Sequence, residues 1–323
     1  IGSYAFSNCS RLEKMTFGGD ETEISDHAFY QCTNLTGTLK MSDKIVRIGT
    51  EAFRDCKKIT GDLNIPSECE KIEGYAFSGC NGLNGKLIFG NKLQEIGDSA
   101  FSGCSGLMGD LTLPDSVTKI GYSAFSGCSG FDGTLTLPSG LTEIKSSTFS
   151  GCSGITGEVI IPNKVTAVAN HAFYNCVNIK SMVVGESVSC FGENTVSSYE
   201  GWSPVQGCSG IETIEYFGST PPGGAPNSSA KFTVMSSLKK IIVPAGYYSA
   251  YAEAYRQYIP STVRMIEKGS NGFIVTDGTL VAYTGDETEI TIPDEVTEIG
   301  NGAFQNNTEI VTVKMPAGLK KIG

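Results

Sequence analysis

Eleven cysteines are the side chains in this sequence best equipped for chemistry, and their spacing decides which chemistry is open to them. Cys9, Cys32, Cys56, Cys80, Cys104, Cys128, Cys152 and Cys176 share one phase, and Cys208 continues it. Stacked neighbours in that phase fall within the Cα range of a disulfide, but their Cβ vectors run parallel instead of facing each other. Nine is also an odd number. The expectation is reduced, buried thiols acting as small core hydrophobes. Cys69 takes a valine position and is also expected in the core. Cys190 falls at an outward position, the one expected to be reactive or to crosslink.

Other catalytic constellations are nearly closed off. The two histidines, His27 and His171, hold the same repeat position six repeats apart. At strand spacing that is roughly 30 Å, too far to share a metal or form a dyad. With no other histidine, the usual acid/base and Cys-His nucleophile arrangements have little to draw on. Asp62, Asp110 and Glu158 alternate with Thr38, Lys86 and Thr134 at one outward position. Acids in alternate repeats stand about 10 Å apart on an open surface, whereas glycoside hydrolysis needs a cleft. A solvated acidic face is expected, with weak calcium binding as a second reading. No phosphate-binding or dinucleotide glycine fingerprint appears. The sequence reads as a non-enzyme with no cofactor and no metal.

The net charge of −10 comes without a Lys/Arg cluster. Nucleic-acid binding requires such a cluster, and an anionic membrane is disfavoured for the same reason. No apolar run approaches the ~18 residues of a membrane span.

The thiols ride on a longer period. Phe6, Phe29, Phe53, Phe77, Phe101, Phe125, Phe149 and Phe173 each precede a cysteine by three, and from Phe29 onward every step is 24 residues. A fixed period of this length marks stacked repeats, none of which buries its apolar face alone. In the repeat over 107–137, Leu111 and Leu113 alternate with Asp110 and Thr112, a half-buried strand. Pro114 ends it, since proline has no N–H to donate. Val117 and Ile120 form a second inward segment, and Gly121 is read as permitting the turn that follows. Ala124 and Phe125 point inward again, and Ser126-Gly127-Cys128 closes a short helical or 3₁₀ turn. The outward strand positions are Thr38, Lys40, Asp62, Asn64, Lys86, Ile88, Asp110, Thr112, Thr134, Thr136, Glu158 and Ile160. They change charge and size between repeats while the inward positions hardly vary, so a concave binding sheet is expected there, with mere solubility as the plain alternative. An insertion between Gly192 and Val205 carries Tyr199 and Trp202, either a surface loop or a partner contact.

Phase, proline, Ile-Gly and Ala-Phe-x-x-Cys coincide repeatedly over most of residues 1–216 and again over 288–323. This pattern resembles the BspA-like leucine-rich repeats. Thr148, Val205, Asn307, Ser42, Gly90 and Gly185 depart from it. The resemblance implies an α/β leucine-rich-repeat solenoid with short strands and short helical or 3₁₀ turns, and the helical spacing of Tyr248, Tyr251, Ala252 and Tyr255 adds a capping helix. The array is expected over 1–268, with degenerate last repeats including Phe232 and a cap helix near 246–258. A second, truncated module, opened by the Asp277-Gly278 hairpin, is expected over 269–323, and the whole is read as a piece of a longer chain. The resemblance further implies a secreted or cell-surface bacterial protein that adheres to a protein ligand such as host matrix or another cell surface, and a monomer is expected. A structural spacer and a glycan-binding module remain as alternatives.

Overall fold

The computed structural model describes residues 1–192, 203–223, 235–268, 271–285, 287–305 and 307–323. Tyr199, Trp202 and Phe232 lie outside the described residues.

The chain winds into a parallel β-solenoid of about 11 turns. Each regular turn has three sides. The first is the Leu-x-Leu segment, the second the segment ending in Ile-Gly, and the third the Ala-Phe-x-x-Cys corner.

The most regular strand pairing lies on the second side. Glu23–Ile24, Arg47–Ile48, Lys71–Ile72, Glu95–Ile96 and Lys119–Ile120 form one parallel sheet, and Glu143–Ile144, Ala167–Val168 and Cys190–Phe191 another. On the first side, Leu63–Asn64 pairs with Leu87–Ile88 and Leu111–Thr112 with Leu135–Thr136. That side lengthens after the regular repeats into a five-stranded parallel sheet. It comprises Gly157–Ile161, Ile179–Val184, Thr213–Tyr216, Lys240–Val243 and Arg264–Glu267.

The corner is a run of turns with i→i+3 hydrogen bonds, such as Cys104 N–H to Phe101 O at 3.1 Å. It never extends into helix because left-handed residues interrupt it, at φ 54° for Ser99 and 76° for Gly103. The amides that helix would use point along the stack. Phe77 N–H donates to Ala100 O and Phe101 N–H to Ala124 O, both at 2.8 Å.

Phenylalanine rings stack along this corner. From Phe6 to Phe173, successive centroids lie 5.1–5.6 Å apart and planes differ by 3–13°. The column stops where Val205, also buried, replaces phenylalanine. Thr148 replaces alanine without an orphaned hydroxyl, because its Oγ1 donates to Lys145 O at 2.8 Å.

Gly121 corrects one local expectation. Its φ is not left-handed; a Cβ there would lie 2.3 Å from Asp98 N of the preceding turn. Glycine is required because two backbones approach, not because the chain reverses.

The helix α1, Tyr248–Tyr255, continues as a 3₁₀ turn over Arg256–Tyr258. Tyr251 and Tyr255 bury their rings against Tyr216, at 5.3 and 5.9 Å. Tyr251 Oη donates to Gly218 O and Tyr255 Oη to Pro222 O, both at 2.9 Å. Buried phenols need such partners. Phe273–Thr276 and Thr279–Tyr283 then form an antiparallel hairpin around Asp277 (φ 49°) and Gly278 (φ 77°). Consecutive positive φ values define the turn that Asp-Gly favours. Thr279–Tyr283 also pairs in parallel with Glu298–Ile299, which resumes the winding, around a separate small core of Leu280, Ile292, Val296, Ile299 and Ala303.

The column generates a graded prediction. Phe101→Ala, fully buried in the wild type, loses ~3–5 kcal/mol in urea melts. Phe6→Ala loses less than about 1 kcal/mol, because Phe6 is 42% exposed. Equal losses at the two positions would contradict the packing described.

Candidate functional site

All twelve outward residues of the Leu-x-Leu side are exposed. Strand register places Asn64 beside Ile88, Thr112 beside Thr136, and Ile160 beside Val183. Ile88 and Ile160 are apolar yet 45% and 54% exposed. The structure therefore brings these residues onto one surface.

The acids there are exposed to solvent, and two of them also hold the next turn. Asp62 Oδ1 accepts the Lys86 N–H, and Asp110 Oδ1 accepts the Thr134 N–H, both at 2.7 Å. Asp110 also accepts the Thr134 hydroxyl at 2.9 Å. Each of these aspartates clips its own turn to the next. Asp115 does the same for Ser139 N–H at 2.9 Å, as do Asp26 for Thr50 and Asp98 for Tyr122 elsewhere on the stack. The Thr134 amide holds the Asp110 carboxyl below its ordinary range, and the Ser139 amide does so for Asp115. At Asp26 partial burial pushes upward, but the Thr50 amide and Arg47 outweigh it and the carboxyl is lowered. Glu158 differs, accepting only the Ser181 hydroxyl at 3.1 Å among the bonds it makes.

A second ordered surface escaped the sequence reading. The residue before each isoleucine of the Ile-Gly side runs Glu23, Arg47, Lys71, Glu95, Lys119, Glu143. Arg47 Nη1 donates to Glu23 at 2.7 Å, Nη2 to Asp26 at 2.8 Å and Nε to Glu73 at 3.1 Å. Lys71 lies 3.2 Å from Glu73 and 3.5 Å from Glu95. Partial burial would lower Arg47, but the carboxylates outweigh it and raise its pKa. The signal was available as charges of both signs recurring at a fixed offset from Ile-Gly. Its meaning required knowing that this side is a continuous ladder.

The thiols have a positional role. Cys56, Cys80, Cys104, Cys128, Cys152 and Cys176 each donate Sγ–H to the phenylalanine carbonyl of the preceding turn, at 3.0–3.1 Å. Cys208 donates to Phe173 O at 2.9 Å. That carbonyl already accepts the amide of its own cysteine, so the thiol supplies a second donor without adding a strongly polar atom to the core. Burial pushes Cys80, Cys104 and Cys128 well above the ordinary thiol range, Cys152 to about 12 and Cys69 to about 11. Cys9 departs from the expected buried column. It is exposed, while Cys190 is half-buried and donates to Gly192 O at 2.6 Å.

The histidines serve local packing. His27 stacks on Tyr4 with centroids 4.5 Å apart and lies 3.5 Å from Glu51. His171 Nε2 lies 3.1 Å from Gln206 Oε1. Among the described residues no three metal-ligating side chains converge, and no helix is long and apolar enough to cross a membrane.

A family described as the BspA type leucine rich repeat region (6 copies) matches residues 1–132, 85–199, 133–218 and 281–323. No curated protein is detectably similar in sequence. A leucine-rich repeat protein from Bacteroides ovatus is 23% identical, over 97% of this chain and 82% of its own, with a TM-score of 0.52. This likeness shows the fold. A leucine rich cell surface protein from Faecalibacterium prausnitzii is 22% identical over 98% and 82%, with a TM-score of 0.40. The leucine-rich repeat protein of T. pallidum is 21% identical over 60% and 83%, with a TM-score of 0.42.

Two outcomes follow from the geometry. A carboxylate with a lowered folded pKa contributes stability above its unfolded value, near 3.9, and that contribution disappears as pH falls through the folded value. Wild-type stability therefore falls below about pH 4, and the triple variant Asp26→Asn, Asp110→Asn, Asp115→Asn shows a shallower acid limb in denaturant titrations. Parallel limbs would remove the clip. Iodoacetamide on the folded protein modifies Cys9 fast and Cys190 more slowly, while the nine buried thiols react only on unfolding. Rapid labelling of Cys104 by peptide mass spectrometry would contradict this.

Proposed function

This chain belongs to the BspA-type leucine-rich repeat family, and from that premise we propose that it is a non-enzymatic surface protein that captures a protein ligand on its Leu-x-Leu side. The observation that carries this reading is the contrast between the two strand faces. On the Ile-Gly side, the charges from Glu23 to Glu95 are matched by one another. On the Leu-x-Leu side, Lys86, Ile88, Thr112, Thr136 and Ile160 stand exposed, and the apolar ones have no cover of their own. Exposed aliphatic residues spaced among uncommitted polar ones on an ordered sheet suit a contact surface. Extracellular placement is consistent with the cell-surface relative from Faecalibacterium prausnitzii.

The internally matched Ile-Gly ladder favours a second reading, a spacer that holds other domains off the cell. Such a role needs regular stacking and no ligand.

One experiment separates the two. Lys86→Glu, Thr112→Lys, Thr136→Lys and Ile160→Lys are combined, leaving the Asp62 and Asp110 clips intact. Beads coated with the variant attach to cultured epithelial cells at least about tenfold less than wild-type beads, as expected when central interface residues are lost. Unchanged attachment, with an unchanged thermal melt, would remove ligand capture by this face and leave the spacer.

A further inference from the structure

Where the Ile-Gly side turns into the Ala-Phe corner, two tyrosines stand out from the stack. Tyr75 is 40% exposed and Tyr122 53%. They belong to alternate turns, and the turn between them carries Asp98 and Ser99. The backbone ties the three turns together at this point. Tyr75 N–H donates to Asp98 O and Ser99 N–H to Tyr122 O, both at 2.8 Å. Two strand steps put the tyrosines ~10 Å apart along the stack.

Each ring already holds a cation. Arg54, from the turn before Tyr75, lies 5.1 Å from the centre of that ring, and Lys145, from the turn after Tyr122, lies 4.9 Å from the centre of the other. Both cations come from outside the pair. They cover the outer faces and leave the inner faces looking toward each other across the middle turn. The positions in line with Tyr75 in the next two turns are Ser99 and Ser123, and those in line with Tyr122 in the two turns before are Asp98 and Gly74. All are small except Asp98. Its Oδ1 accepts the Tyr122 N–H at 2.8 Å, and its second oxygen has no partner among the described residues.

An aromatic face attracts a cation held within ~6 Å of the ring centre. A group midway between the two tyrosines sits ~5 Å from each, the distance that Arg54 and Lys145 keep on the outer faces. It also meets the Asp98 carboxylate. The outer cations offer little opposition. Arg54 is paired with Glu51 at 2.8 Å, Lys145 lies 3.7 Å from Glu143, and each stands about a Debye length from the midpoint. A compact ammonium reaches both rings at once, whereas a planar guanidinium lies flat on one and leaves the other. The net charge of −10 draws a basic partner toward the chain.

We propose that Tyr75, Tyr122 and Asp98 form a clamp for an ammonium group, that of a lysine side chain presented by a partner protein. The clamp lies off the Leu-x-Leu strands and does not depend on ligand capture by that side.

The test uses the whole chain with carbon-13-labelled tyrosine rings, observed by NMR. The signals of Tyr75 and Tyr122 are those lost in Tyr75→Leu and Tyr122→Leu. Acetyl-lysine methylamide is titrated in as the probe. Both signals shift along one saturation curve with a Kd in the millimolar range, and neither moves with the norleucine counterpart, which lacks the charge. Removing either ring weakens binding about fivefold or more, read from the ring that remains. Asp98→Asn keeps the oxygen that accepts the Tyr122 amide, loses the charge and also weakens binding. Both tyrosines are exposed, so the variants keep the wild-type thermal melt. Two separate curves, no saturable shift, equal shifts with the norleucine probe, or indifference to Asp98→Asn would overturn the clamp. Tighter binding of choline than of the lysine probe would overturn the assignment to a protein's lysine. Failure of this titration leaves the bead experiment on Lys86 and Ile160 untouched.

Discussion

Ring-on-ring contact along the corner sets the terms for everything else in this molecule. A phenylalanine can lie flat on its neighbour only if each turn returns the chain to the same place in the same orientation. Successive planes here differ by no more than 13° from Phe6 to Phe173. That demand fixes the turn length, and the turn length fixes every other column. Thiols fall under carbonyls, aspartates under amides, and isoleucines under isoleucines. Each contact is small, but all are made between turns and not within them. Stability therefore grows by nearest-neighbour addition, as in other stacked repeats.

The same constraint explains the chemistry. A thiol between two turns must be a donor, nearly apolar and small, and cysteine meets all three conditions. Burial that keeps the thiols protonated also keeps them inert. The residues with the most chemical potential are spent on architecture, and what is left to act is the outside. There the sides divide. The Ile-Gly side spends its charges on neighbouring turns, as Arg47 does with Glu23, Asp26 and Glu73. The Leu-x-Leu side leaves aliphatic residues uncovered.

Much of this could be read from residues alone, because a period of 24 repeats its evidence many times. The phenylalanine column, the Leu-x-Leu alternation, the cap helix and the Asp277-Gly278 hairpin follow from local rules of periodicity and turn chemistry. What could not be read was whatever depends on the turn above or below. Asp110 looks like a surface acid until Thr134 N–H is found against it. Gly121 looks like a turn residue until the Asp98 backbone is seen beside it. Cys9 carries the core motif and is nevertheless exposed. A repeat sequence states its own interior well, whereas the contacts that join repeats belong to pairs of residues some 24 positions apart.

The most direct test of the stacked account is native-state hydrogen exchange, resolved by peptide, along the corner amides. Phe77, Phe101 and Phe125 donate along the stack to Ala100, Ala124 and Thr148. The account predicts that these middle-turn amides are the slowest to exchange, with protection declining turn by turn toward Phe6. Exchange of the Phe77 and Phe101 amides at rates matching Phe6 would contradict it.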